Sequence, residues 1–367
     1  MEQKTTKSRF SHNITVYSNC RTPALLRMFA LMSDSKQTAS GRRLFFPGKQ
    51  QVQIEPFELP PLKEGEVLIK TALSLMSTGT ENIVFNRLFE PGTHWDNWVK
   101  YPFFPGYCAV GTVVESRAKD LKPGDRVTAR SHHQSHWVRP AADCSRIPDS
   151  VPFENAHWFA LAKIAFHGAL AAGYHLGDSV LVIGAGPIGQ MSIRWANAAG
   201  AATIIAVDSA AERLSMAAAG GATATISAPI AEAKEAILAA NKGKLPRLVI
   251  DSTGNEKVFA AALGLADKFG KVVILGDTGA PSKQQLTSDV IMRGITIVGV
   301  HDGHETAEWT NATITALFLS LAASGRFPLE GLNTHFFKPA DCTKAYETVN
   351  RERAKTMGVV FDWREEA

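Results

Sequence analysis

A chain of 367 residues, 45% apolar and 20% charged, is long enough for two buried cores and has the composition of an ordinary globular protein. A formal charge of only +4, without a long Lys/Arg block, argues against a nucleic-acid partner. No apolar run reaches the roughly 18–20 residues that cross a bilayer, and Cys20, Cys108, Cys144 and Cys342 form no C-x-x-C pair, so the reading is a protein of the reducing cytoplasm without a disulfide framework or a cysteine-rich zinc site.

Residues 1–40 are set aside as a disordered extension, or as an upstream start with Met32 the true initiator. Their apolar stretch TPALLRMFALM (22–32) is broken by Arg27, unlike the core of a secretion signal. The next segment is strand-rich. In EVLIKTALSLM the residues Val67, Ile69 and Thr71 alternate with Leu68, Lys70 and Ala72. GTVVES and KPGDRVTA follow, punctuated by Pro-Gly-Asp. Up to about residue 149 the reading is short strands and long loops.

The texture changes near Pro152. FENAHWFALAKIAFHGALAAGYH predicts one or two helices. Strand and helix then alternate: SVLVIGAG with PIGQMSIRWANAAG, ATIIAVD with SAAERLSMAAAGG, ATATIS with AEAKEAILAAN, RLVIDSTG with NEKVFAAALGLADKFG, then KVVILGDTG and ITIVGVHD. About six strands of this kind predict a doubly wound parallel sheet in an α/β chain. A helix in AEWTNATITALFLSLAASG and a strand–helix–strand tail return the chain to its first domain. The domains are read as 41–160 with 301–367, and 161–300 inserted between them.

Gly184, Gly186 and Gly189 have G-x-G-x-x-G spacing between a strand and a helix. The first permits the tight turn, the second lets a pyrophosphate approach the backbone, and the third lets helix pack on strand. Pro187 occupies the first helical turn and Ile188 follows it, where free amides attract phosphate. Asp208 ends the second strand, where a carboxylate holds ribose hydroxyls and repels a 2′-phosphate. NAD is therefore expected over NADP, with Arg213 as the counter-signal.

The order of elements resembles the medium-chain dehydrogenase/reductase family. GTE at 79–81, FPGYCAVGTVVE at 104–115, KPGDRV at 122–127, LVIGAGPIGQ, DSTGN at 251–255 and ILGDTG carry the likeness. It implies a GroES-like β-rich catalytic domain beside a Rossmann domain, with Thr253 and Gly276 flanking the cofactor. Within the family, STGTE and PGY look most like bacteriochlorophyllide a dehydrogenase and its relatives. Where zinc members carry their metal ligands, this chain has Thr78, Tyr107 and Leu161, and the four-cysteine lobe is missing. Hydroxyl and aliphatic side chains do not make a zinc cage, so no metal is expected, including at His132, His133 and His136. The resemblance also makes Thr80 the relay hydroxyl. Tyr107 is a candidate proton-handling phenol, and Lys163 a candidate cation for it, with His167 as a second proton carrier. Glu81 is a candidate that either orients its turn or pairs with Arg130. The expectation is a zinc-independent, NAD-dependent enzyme acting on a secondary alcohol or ketone. A quinone or enone reductase and a non-catalytic NAD-binding protein are the alternatives. A small-molecule substrate and a homo-oligomer, dimer or tetramer, complete the expectation; no nucleic acid or membrane partner is expected.

Overall fold

The computed structural model describes residues 40–366. The extension assigned to residues 1–40, with Cys20 and the apolar stretch, lies outside the described residues except for Ser40, which opens the first strand. In chain order the elements begin with β1 (Ser40–Phe45), β2 (Gln53–Glu58), β3 (Glu66–Met76), α1 (Thr78–Asn86) and α2 (His94–Trp98). There follow β4 (Ala109–Ser116), β5 (Arg126–Ala129), β6 (His136–Pro140), β7 (Ser145–Arg146), α3 (Phe153–Ala156) and α4 (Phe159–Ala172). The alternating run is β8 (Ser179–Ile183), α5 (Pro187–Ala198), β9 (Thr203–Asp208), α6 (Ala211–Ala219), β10 (Ala224–Ser227), α7 (Lys234–Ala240), β11 (Leu248–Asp251), α8 (Glu256–Leu265), β12 (Lys271–Ile274), α9 (Asp289–Arg293) and β13 (Thr296–Gly299). The chain closes with α10 (Asn311–Ala323), β14 (Asn333–Phe337), α11 (Cys342–Arg351) and β15 (Gly358–Asp362).

Six parallel strands line up in the order β10-β9-β8-β11-β12-β13. The direction of winding reverses between β8 and β11, and ligands of such sheets bind at the carboxyl ends of the strands flanking that point. Both faces of the central strands are covered: Val180, Leu181, Val182, Val249 and Ile250 are fully or almost fully buried. Each such side chain stabilises the fold by roughly 1.5–3 kcal/mol. That explains unbroken apolar runs in place of alternation.

The second sheet runs β14-β15-β3-β4-β5-β7, with β6 also paired to β3. β14 and β15 come from the end of the chain, and β15 pairs antiparallel with β3 from its beginning. In β3 the alternation of Val67, Ile69 and Thr71 gives way to a fully buried stretch from Ala72 to Met76. The sequence reading missed α1 and α2. Residues 78–86 fold as two helical turns because Glu81 accepts a hydrogen bond from the Ser77 amide and Val84 and Phe85 pack inward, features that short Gly-containing text does not advertise. Among the described residues no helix is long and apolar enough to cross a membrane.

Candidate active site

The glycine turn is shaped by contacts that leave no room for side chains. Gly184 has φ +86°, and a Cβ on it would lie 2.7 Å from the Thr253 methyl. A Cβ on Gly189 would lie 1.8 Å from the Gly184 carbonyl oxygen. Gly186, the residue before α5, has open space, its nearest neighbour being Arg213 Nη1 at 3.7 Å. Pro187 begins the helix and Ile188 packs against the core beneath it. Across the reversal point, Thr253 donates to Asp251 through its amide (2.9 Å) and hydroxyl (2.7 Å). A Cβ on Gly276 would lie 2.2 Å from the Gly254 amide nitrogen, so the segments after β11 and β12 touch. Burial holds the Asp251 carboxyl above its ordinary value against the pull of those two bonds.

Asp208 ends β9 and accepts from the amides of Ala185 (2.7 Å) and Ala210 (2.8 Å). Its carboxylate is thus fixed beside the glycine turn. Arg213 stands 3.8 Å from it but is committed elsewhere: its Nη2 donates to the Arg353 carbonyl and, at 3.5 Å, to that of Thr356. The sequence reading took Arg213 as a phosphate counter-signal and did not foresee this tie to the C-terminal segment. An open backbone cradle, a helix start and a fixed carboxylate together suit a dinucleotide.

The second half of the site gathers around the start of α1. The Tyr107 hydroxyl donates to Ser77 Oγ, and Thr80 Oγ1 lies 3.3 Å from the same phenol oxygen. Burial pushes the Tyr107 phenol above its ordinary range, and the nearby Arg130 offsets this only in part. The phenol is therefore protonated at neutral pH. Its cation is not the expected one. Arg130 sits over the Tyr107 ring, 5.2 Å from the centroid. Lys163 is buried on α4 and reaches Glu305 at 2.7 Å and the Asp302 carbonyl at 3.1 Å. Arg130 is in turn held by Asp302 at 2.7 Å. His167, one turn after Lys163 on α4, is buried with its Nε2 unpartnered, and burial and Lys163 hold its pKa below the ordinary value.

Glu81 does not pair with Arg130. It is 2% exposed and accepts from the Ser77 amide (2.8 Å), His133 Nε2 (3.2 Å) and the Tyr346 hydroxyl. His133 Nδ1 meets Ser74 Oγ at 2.8 Å, and Trp363 Nε1 donates to that oxygen at 2.9 Å. Glu81 is thus a buried strut for the Ser77–Thr80 turn, linking α1 to α11 and the C-terminal end. Gly106 makes this possible: its φ is +97°, and a Cβ there would lie 2.6 Å from the His133 amide nitrogen. The PGY motif therefore serves a close chain crossing. Tyr346, Trp363 and Asp302 were missed as partners because only the fold brings them here, and Arg130, named as a partner for Glu81, lies over Tyr107 instead.

Thr78 and Leu161 are buried, and Cys108 beside Tyr107 is fully buried, its thiol pushed up mainly by burial. The hydroxyls of Thr78 and Tyr107 and the aliphatic side chain of Leu161 do not fit the chemistry of a zinc ligand set. Among the described residues no group of three or more His, Cys, Asp or Glu is arranged for a metal; His132 is exposed while His133 points inward.

Residues 187–318 match the model of a family described as zinc-binding dehydrogenase. The chain is 26% identical over 341 residues to an L-threonine 3-dehydrogenase of Bacillus licheniformis, covering 83% of this chain and 94% of the relative. It is 28% identical over 343 residues to a sorbitol dehydrogenase of Mus musculus, covering 83% and 91%. Among solved structures, an Escherichia coli oxidoreductase/dehydrogenase of unknown specificity involved in membrane biogenesis superposes with a TM-score of 0.76 at 22% identity, over 88% of this chain and 99% of that one. The two sheets are accordingly the GroES-like β-rich part and the Rossmann part of an alcohol-dehydrogenase-like fold.

Proposed function

Because the chain is an NAD(P)-dependent oxidoreductase of the medium-chain dehydrogenase type, we propose that it interconverts a secondary alcohol and a ketone, uses NAD, and works without zinc. The observation that carries this reading is the hydroxyl cluster in which Tyr107, at a position where zinc members hold a ligand, meets Ser77 and Thr80. A bound nicotinamide supplies the hydride acceptor or donor. Gly184, Gly186, Pro187 and Gly189 hold the pyrophosphate against the amides that open α5, and Ile188 supports that turn. Asp208 takes the ribose hydroxyls, and its charge disfavours a 2′-phosphate. Thr253 and Gly276 border the cofactor where β11 and β12 end.

At the reacting oxygen the chain itself handles one proton. In ketone reduction the Tyr107 hydroxyl donates to the carbonyl oxygen, and Thr80 Oγ1, at 3.3 Å and only half-buried, returns a proton from the cleft side. In alcohol oxidation the same path runs backwards. Ser77 and the Glu81 strut orient the phenol.

Domains at 41–160 with 301–367, and at 161–300, are supported by β14 and β15 joining the sheet of β3. A homo-oligomer is supported by β13 at the sheet edge, with Ile291 and Met292 exposed nearby. A cytoplasmic setting is supported by the free thiols of Cys108, Cys144 and Cys342.

The test is a panel of ketones with NADH alongside elemental analysis for zinc. Tyr107→Phe should lower kcat on the order of 100-fold while NADH binding persists. Stoichiometric zinc, or full activity in Tyr107→Phe, would sink the reading.

A further inference from the structure

The side chain beside the hydroxyl cluster has a donor to spare. Arg130 lies with its guanidinium over the Tyr107 ring and gives Nη2 to Asp302. Its Nε is buried and unpartnered, and its Nη1 has no hydrogen-bond partner among the described residues, while 31% of the side chain is exposed. A guanidinium fixed on its face and at one corner is a preorganised donor, because little freedom remains to be lost when a ligand arrives. The charges around it are already balanced. Asp302 faces both Arg130 and Lys163, at 2.7 and 3.5 Å, and Glu305 faces Lys163 at 2.7 Å. An added carboxylate would meet Asp302, whereas a neutral oxygen would not.

We propose that Arg130 is a specificity-determining residue whose free Nη1 donates to a neutral acceptor oxygen, hydroxyl or carbonyl, on the carbon next to the reacting one. The substrate class is then the α-hydroxy ketone and its vicinal diol. Asp302 is the positioning residue that sets Arg130 and excludes acids. This rests on the reading of Tyr107 as the group at the reacting oxygen, over whose ring the guanidinium lies, 5.2 Å from the centroid.

Three probes on one carbon skeleton test it: acetone, hydroxyacetone and pyruvate, each reduced with NADH by the full chain. Wild-type protein should favour hydroxyacetone over acetone in kcat/KM by roughly 10- to 100-fold, as expected for a hydrogen bond to a charged donor. Arg130→Met should bring that ratio to within about threefold, and Arg130→Lys, which keeps charge but loses the planar fork, should fall between. Asp302→Asn should raise pyruvate relative to hydroxyacetone by on the order of tenfold. Quenching of NADH fluorescence confirms that each variant is folded. A wild-type ratio near one, a preference that survives Arg130→Met, or wild-type preference for pyruvate would overturn the proposal. If NADH binds but no ketone is reduced, the reading of Tyr107 fails separately. Binding to the NADH complex then decides: vicinal propanediol tighter than propan-2-ol, with the difference lost in Arg130→Met, upholds the subsite, and equal binding overturns it.

Discussion

The turn after β8 and the cluster at the start of α1 lie in one molecule but are made differently. The turn is backbone chemistry from one contiguous stretch, 184–189, bordered by a few distant side chains such as Asp208, which two amides fix, and Ser252, which donates to the Gly184 carbonyl. The cluster is side-chain chemistry from segments hundreds of residues apart: Ser77 to Glu81, Tyr107, Arg130 with His133, Asp302 and Tyr346. A contiguous backbone site tolerates almost no added atoms, whereas a dispersed site depends on every buried polar partner staying paired. The two should therefore fail in different ways.

The largest expected effect is in the turn. Gly189→Ala places a methyl 1.8 Å from the Gly184 carbonyl, which costs about 3 kcal/mol and removes NADH binding altogether, as read by melting and fluorescence quenching. Near-normal binding would break the contrast at once. An acid scan comes next. Burial lowers His157 from an ordinary 6.5 to about 4, and its Nε2 donates to Asn333 at the start of β14. Between those two values the unfolded chain binds the extra proton, so stability falls as pH drops through that window, by about 3 kcal/mol in all. Denaturant melts of wild type and His157→Gln should converge toward pH 4. Glu81→Gln should cost about 2 kcal/mol, since the amide cannot accept from all three donors. It should also lower kcat more than NADH affinity; an equal loss of both would mean the strut does not serve the hydroxyl cluster alone. Smallest is Asp208→Asn, which should shift the NAD-to-NADP affinity ratio toward NADP by on the order of tenfold, about 1.4 kcal/mol.

The same contrast explains what could be read from the amino acids. Strand–helix alternation from Ser179 to Gly299, the glycine spacing and Asp208 are local patterns, and the parallel sheet follows from them. The strand–helix–strand tail was read from the amino acids before any resemblance, and its last strand, β15, pairs with β3. Helix α1 was not, because its first turn holds Gly79 and its stability comes from the contacts of Glu81 and Phe85. Lys163 was expected to supply a charge to Tyr107 from the adjoining helix, but it reaches Glu305 instead, and Arg130 lies over the ring. No spacing rule relates Tyr346 to Glu81 across 265 residues.

Arg213 and Asp302 both tie the parallel sheet to the rest of the chain, the first by neutral carbonyls of Arg353 and Thr356 and the second by charges on Arg130 and Lys163. Added electrolyte screens the second kind of bond and hardly touches the first. A molecule stapled in these two ways has one seam that salt loosens and one that it does not. Substrate turnover in this protein should therefore respond to ionic strength at concentrations where its hold on the dinucleotide stays steady.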